Sequence, residues 1–307
     1  MTVEQVEPRG TRESTIEPEA LRRAAARRPL KRVIGRLLYQ SHLYKQLWHE
    51  RGLIALFHRI DDRYPTNPMT CSTALFRETC DFLARYFRVV PLTELLERLS
   101  VGADISRRVA ITFDDGYRDN FTFATPELPK RGLPPTFFIS TRFIGTDHTA
   151  WWDAEQGICS EWMTWDDVRA LHEQGFDLGS HTCTHVDCGQ SDADRFSEIV
   201  GSKSRLEEEI GTAVKHFAFP YGAPNHMTEE NRAIVRDAGF ACCLAGHGGV
   251  VAPSDSAFRL CRVPINNLWH TSPYQFGFET TRMASRSRRG RSIRVERMPL
   301  QSARRTP

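Results

Sequence analysis

The chain has 307 residues, 40% of them hydrophobic, which is enough for one large α/β domain or two small ones. No apolar run approaches the roughly 20 residues that span a bilayer, and the N-terminal MTVEQVEPRGTRESTIEPEA lacks the apolar core of a secretory signal, which points to the cytoplasm. The net charge of +3 is uneven: residues 1–51 carry 11 Lys/Arg against 6 Asp/Glu, residues 281–307 carry 9 Arg against one Glu, and the stretch between is acidic, which argues against a site built for nucleic acid.

Residues 1–28 are polar and without periodicity, and read as a mobile arm. In 30–48, Leu30, Val33, Ile34, Leu37, Leu38, Tyr44, Leu47 and Trp48 recur at helical spacing among basic residues. Such a helix either packs on the domain, the favoured reading, or lies peripherally on an anionic inner membrane face. From residue 53, strands and helices alternate. LIALFH (53–58) is a strand, Ser72 caps a helix bearing Phe76, Cys80, Leu83 and Phe87, and 88–90, VAITF (109–113) and TFFIS (136–140) are strands. Thr164 to Asp167 form a capping box, FDLGS (176–180), HFAFP (216–220) and ACCLA (241–245) are strands, and 196–210 is an amphipathic helix. This rhythm predicts an α/β fold with a largely parallel sheet. The domain then covers 52–280, preceded by a basic arm with its helix (1–51) and followed by an Arg-rich tail (281–307), expected to be disordered from Met283 on. The eight cysteines form no CxxC pair and read as reduced, mostly buried thiols.

Three motifs stand at strand ends. Val109-Ala110-Ile111 runs into the adjacent carboxylates Asp114 and Asp115, followed by Gly116. Two like charges beside a buried strand repel each other and resist desolvation, so solvent, a proton or a cation must relieve them. On its own, Asp-Asp-Gly could be a simple turn. After FDLGS come His181 and His185, four apart, which can converge on one cation. Asp115, His181 and His185 together make a two-histidine, one-carboxylate set suited to Zn²⁺, and also to Co²⁺, Ni²⁺ or Fe²⁺. Asp114 would then act as general base on a water polarised by the metal. Third, Pro220 and Gly222 around Tyr221 make a rigid turn that can aim a main-chain N–H at an oxyanion.

The order Thr112-Phe113-Asp114-Asp115-Gly116, then Ser180-His181-Thr182-Cys183-Thr184-His185, then Phe217-Ala218-Phe219-Pro220-Tyr221-Gly222 resembles the polysaccharide deacetylases, the NodB-homology or carbohydrate esterase family 4 group, over about residues 53–265. The resemblance implies a distorted (β/α)7-type barrel with its site at the C-terminal strand ends. It also implies zinc-dependent removal of N-acetyl groups from N-acetylhexosamine units, with Asp114 as base and Asp115, His181 and His185 as ligands. Tyr221, presented by Pro220, would help bind the oxyanion. Where the family often carries an arginine, this chain has Ala218, and Arg262 is the candidate replacement. The late Leu-x-His that usually supplies the general acid is missing. In a permuted, exopolysaccharide-type subset that histidine comes from the first strand, and Leu56-Phe57-His58 has the right form; His247 and His270 are weaker candidates. The tryptophans Trp151, Trp152, Trp162 and Trp165 could stack on a sugar or simply fill the core. The expected substrate is an N-acetylated sugar in a polysaccharide, oligosaccharide or glycolipid precursor. The alternatives are a formamido sugar or other small amide, or a catalytically silent sugar-binding protein.

Overall fold

The computed structural model describes residues 26–190 and 193–288. Among them the strands, in chain order, are β1 Leu53–Phe57, β2 Arg59–Ile60, β3 Thr70–Cys71, β4 Arg88–Val89, β5 Arg108–Phe113, β6 Pro135–Ile139, β7 Asp177–Ser180, β8 His216–Ala218, β9 Cys242–Gly248 and β10 Leu260–Pro264. The α-helices are α1 Arg28–Gln40, α2 Tyr44–Leu47, α3 Thr73–Tyr86, α4 Leu92–Ser100, α5 Trp151–Ala154, α6 Trp165–Glu173, α7 Arg195–Ile210, α8 Glu229–Asp237 and α9 Pro273–Arg288.

β1 pairs in parallel with β5 on one side and β10 on the other. The remaining pairs run β5-β6-β7-β8-β9-β10, all parallel, so seven strands close into a barrel. β4 extends β5 outside the ring, and β2 and β3 form a small separate pair. β1 and β5 are buried at every position, as expected of strands covered on both faces. Phe57, Phe113 and Phe137 stack across adjacent strands, with Phe76 of α3 against their edges, forming the layer between barrel and helices. The alternate residues Ile54, Ala110, Phe138, Ala218 and Leu244 make a second cluster, joined by Leu92 and Leu95 of α4. Asp114 and Asp115 follow the C-terminal end of β5, His181 that of β7 and His58 that of β1.

Ser72 caps α3 by accepting from the Leu75 N–H, and Thr164 and Asp167 complete the capping box of α6. Two expectations need correction. The segment 30–48 is not one helix: it breaks after Gln40, where His42 takes φ 62°, and resumes as α2. The order at the C-terminal side also extends past Met283, because α9 continues to Arg288 with Thr280, Thr281 and Ala284 buried. This helix buries Phe276 in the core, with Tyr274 and Met283 packed against it, and makes the rest of its contact through small and polar residues. A Cβ on Gly35 of α1 would lie 2.0 Å from the Tyr274 carbonyl oxygen, so the two backbones touch and only glycine fits. Tyr39 and Trp48 bond the Thr281 hydroxyl at 3.0 and 2.9 Å. Residues 289–307, the remainder of the expected tail, lie outside the described residues, as do residues 1–25 of the arm. All eight cysteines are free thiols, and only Cys159 is exposed.

Candidate active site

Asp114 and Asp115 follow β5 directly, and the Asp114 N–H donates to the Phe57 carbonyl of the neighbouring strand at 3.0 Å. Arg262, on β10, is fully buried and grips Asp114 with two parallel bonds of 2.6 Å, Nη1 to Oδ1 and Nη2 to Oδ2. Its Nε donates to the Ala245 carbonyl at 2.6 Å and its Nη1 also reaches the Thr112 hydroxyl at 3.3 Å. A planar guanidinium held in this way is a strong, geometrically specific partner for a carboxylate. Burial alone would push the Asp114 carboxyl up, but Arg262, helped by His181, holds it below the usual carboxylate range.

Asp115 faces the other way. Its Oδ1 lies 3.3 Å from Nε2 of His181 and 3.3 Å from Nε2 of His185, and all three groups are buried. Their ligand atoms lie within 4.8 Å of one another. Neither Asp115 oxygen accepts a hydrogen bond, although both are buried. The His181 ring is fixed by its other nitrogen, since Nδ1 donates to the Ala218 carbonyl at 2.8 Å. That bond sets the tautomer, so Nε2 offers a lone pair toward Asp115. Lone pairs and a carboxylate converging in a dry site call for a cation, and the donor set suits a divalent transition metal. Between these groups alone, burial opposes charge on His181, yet Asp114 and Asp115 draw its imidazole above the ordinary value. Burial drives His185 down to about 3.

Backbone strain concentrates here. Asp115, Thr182, His185 and Tyr221 all take positive φ, at 77°, 63°, 57° and 60°. Non-glycine residues hold that conformation only where surrounding structure enforces it, which is a frequent property of functional sites. Gly222 follows at φ 59°, and a Cβ there would lie 1.8 Å from the Gly246 nitrogen, which explains the glycine.

His58, Asp114, His181, His185 and Tyr221 share a pocket of ≈ 100 Å³ with His247. His270 does not join them: it is buried against Phe276, with Nε2 3.5 Å from Glu279 of α9. Burial lowers the His58 imidazole below its ordinary value, with Asp115 and Asp114 pulling the other way. Of the tryptophans, Trp152 lines the pocket with its ring 4.5 Å from that of His185. Trp151 donates to the Tyr221 hydroxyl at 3.3 Å, whereas Trp162 is buried in a stack on Tyr117. Met69, Pro264 and Asn266 also line the pocket. They come from loops and a strand end, and carried no motif signal in the sequence.

A buried polar network backs this wall. Trp152 donates to the Tyr117 hydroxyl at 2.8 Å, and Tyr117 donates to Asp153 at 3.0 Å. Arg59 pairs with Asp153 at 2.6 Å. Next to it, Asp119 accepts from the Ile60 N–H at 2.9 Å, and Asn120 bonds the His58 carbonyl at 2.7 Å, so both tie down the segment after β1. Burial pushes Asp119 up to about 7. An unfolded aspartate titrates at about 3.9, so the folded state binds the extra proton between the two values. The contribution of this group to stability is therefore full below about pH 4 and is lost as pH rises through about 7. Asp119→Asn removes that titration, so its melting temperature relative to wild type should be higher at pH 8 than at pH 5. Parallel melting curves for the two proteins at both pH values would not support the shift.

Residues 102–243 match the family model described as polysaccharide deacetylase. YxkH of Bacillus subtilis (strain 168), which carries a polysaccharide deacetylase name, is 26% identical over 159 residues, 52% of this chain and 51% of that one. The chain thus spans about half the length of this curated relative. Among solved structures, the fold is similar to the Streptococcus pyogenes deacetylase PplD in complex with acetate, with TM-score 0.62, 19% identity, and coverage of 75% of this chain and 98% of that one. It is also similar to IcaB from Ammonifex degensii, with TM-score 0.61, 21% identity, and coverage of 77% and 97%. The strand-end motifs, the closed barrel and the match over residues 102–243 agree: this part of the chain is similar to the polysaccharide deacetylases, and its fold is that of the solved deacetylase structures.

Proposed function

We propose that the protein is a metal-dependent hydrolase that removes acetyl groups from N-acetylhexosamine units of a polysaccharide, oligosaccharide or glycolipid precursor. The observation that carries this reading is the division of labour between two adjacent carboxylates: Asp114 clamped by Arg262, and Asp115 turned toward two histidines. Asp115, His181 and His185 would hold a divalent cation, zinc in the first instance, whose Lewis acidity makes water nucleophilic near neutral pH and polarises the amide carbonyl. Asp114, kept ionised and oriented by Arg262, accepts the proton of the attacking water. The Tyr221 main chain, presented by Pro220, faces the carbonyl oxygen as negative charge develops. His58 protonates the departing amine, so that amide and water yield acetate and a free amino sugar. Burial makes a protonated His58 a stronger acid than ordinary imidazole, which favours donation to a poor leaving group.

The test is acetate release from N-acetylated amino sugars by metal-loaded protein, alongside elemental analysis. Asp115→Asn, His181→Ala and His185→Ala should each lower bound metal, since losing one of three protein ligands leaves a weak site. His58→Ala should keep metal and fold and lose turnover on the amide, with a smaller loss on an activated aryl ester whose leaving group needs no proton. Equal losses on both substrates would remove His58 from the role of acid. No acetate release across the panel, with metal bound, would remove the deacetylase assignment.

A further inference from the structure

The face that α1 turns to the protein is the wrong one for an ordinary packed helix. It contacts the domain through Gly35 and Tyr39, the residues buried on it, and through Lys31, which pairs with Glu279 at 2.7 Å. At about 100° per residue, Leu30, Val33, Ile34 and Leu37 lie on the opposite side. They are 62%, 56%, 39% and 62% exposed, and Leu43, just beyond the helix, is 56% exposed. None of these side chains holds the fold together. An apolar stripe of this size on the outside of a helix marks an interaction surface.

The charges around the stripe indicate what covers it. Residues 26–49 contain Arg27, Arg28, Lys31, Arg32, Arg36 and Lys45 and no Asp or Glu. Arg27, Arg32, Arg36 and Lys45 are exposed. A second copy of the chain docked on the same stripe would bring these cations against their own counterparts. A surface of anionic lipid complements both features at once, acyl chains for the stripe and headgroups for the flanking cations.

We propose that α1 is an in-plane membrane anchor: Leu30, Val33, Ile34 and Leu37 enter the acyl boundary of an anionic bilayer, and Arg27, Arg32 and Arg36 meet its headgroups. No helix among the described residues is long and apolar enough to cross a membrane, so this is contact with one leaflet. No residue of α1 lines the pocket.

Vesicle co-sedimentation of the full chain tests this without any turnover measurement, and is thus independent of the proposed activity. Wild type should bind vesicles of phosphatidylcholine with phosphatidylglycerol and bind pure phosphatidylcholine far less, with binding weakened by salt. Leu30→Gln/Leu37→Gln should lose at least about tenfold in vesicle affinity, because the apolar insertion is gone. Its melting temperature should match wild type, since both positions are exposed. Arg32→Gln/Arg36→Gln should bind more weakly and with a shallower salt dependence. Unchanged binding by the leucine variant would overturn the anchor, showing that basic segments alone bind the vesicles. A wild-type dimer in sedimentation velocity that the leucine variant converts to monomer would overturn it in favour of a second copy.

Discussion

Asp114→Asn should lower turnover on an N-acetylated amino sugar by at least about 100-fold, the usual scale for losing a general base, while the protein keeps its metal. The two adjacent carboxylates are chemically identical in sequence, and only their surroundings divide them. Asp114 has both oxygens engaged by Arg262, which suits the proposed role of oriented base better than that of ligand. Asp115 has both oxygens free of hydrogen bonds and two imidazoles in front of it, which suits the proposed role of ligand. An amide at position 114 preserves shape and can still accept from one arm of the guanidinium, but it cannot take a proton from water. Elemental analysis and acetate release on the same sample check both halves. Loss of metal in Asp114→Asn would show that the roles are exchanged.

Arg262→Met should be among the most destabilising single changes in the barrel. Arg262 is fully buried, and its removal leaves the Asp114 carboxylate, itself 2% exposed, without its guanidinium partner and with both oxygens short of their hydrogen bonds. Breaking a buried pair by removing one partner costs about 3–5 kcal/mol. Replacing both charges is far milder, because no unpaired ion remains. The double variant Asp114→Asn/Arg262→Met should therefore be more stable than Arg262→Met alone, an outcome contact counting would not suggest. A double-mutant cycle by denaturant unfolding measures this coupling. Simple additivity of the two single changes would mean that the pair is not an energetic unit. Arg262→Lys should recover only part of the loss, since an ammonium cannot make the two-pronged contact.

Much of the barrel was legible because each strand that carries chemistry is an apolar run ending in a polar motif. VAITF before Asp114, FDLGS before His181 and HFAFP before Tyr221 announce both the strand and the end at which its polar motif begins. Position at strand ends made Asp114, Asp115, His181, His185 and His58 candidates; Asp114, His181, His185 and His58 line one pocket, and Asp115 lies behind it against the two histidines. Arg262 was legible only as an answer to a need, with Ala218 standing where a guanidinium was expected. The loops and strand end that bring Met69, Pro264 and Asn266 to the same pocket have no periodicity to read.

The two ends of the domain were the hardest to read, for different reasons. In α1 the spacing of the leucines showed a helix, but periodicity shows only that a stripe exists and not which side the protein covers. In α9 Phe276 is the one large apolar side chain fully buried, and Gln275, Thr280, Thr281 and Ala284 are also buried, packed by close approach and hydrogen bonds. A helix held that way leaves almost no hydrophobic pattern in the sequence.

The pairing of β1 with both β5 and β10 has a consequence for how such an enzyme can be encoded. A ring of parallel strands has no first member: each is flanked by the same two neighbours wherever the chain is cut. His58 therefore reaches the pocket from the strand that opens this barrel as readily as it would from a strand that closed it. The helices at the two ends of the described chain also lie side by side, joined by Lys31 and Glu279. The start and finish of the domain are thus spatial neighbours, and moving the cut around the ring would leave the constellation at its mouth unchanged. What the reaction requires is the circular order of the strands, and the linear order of the motifs is free to differ.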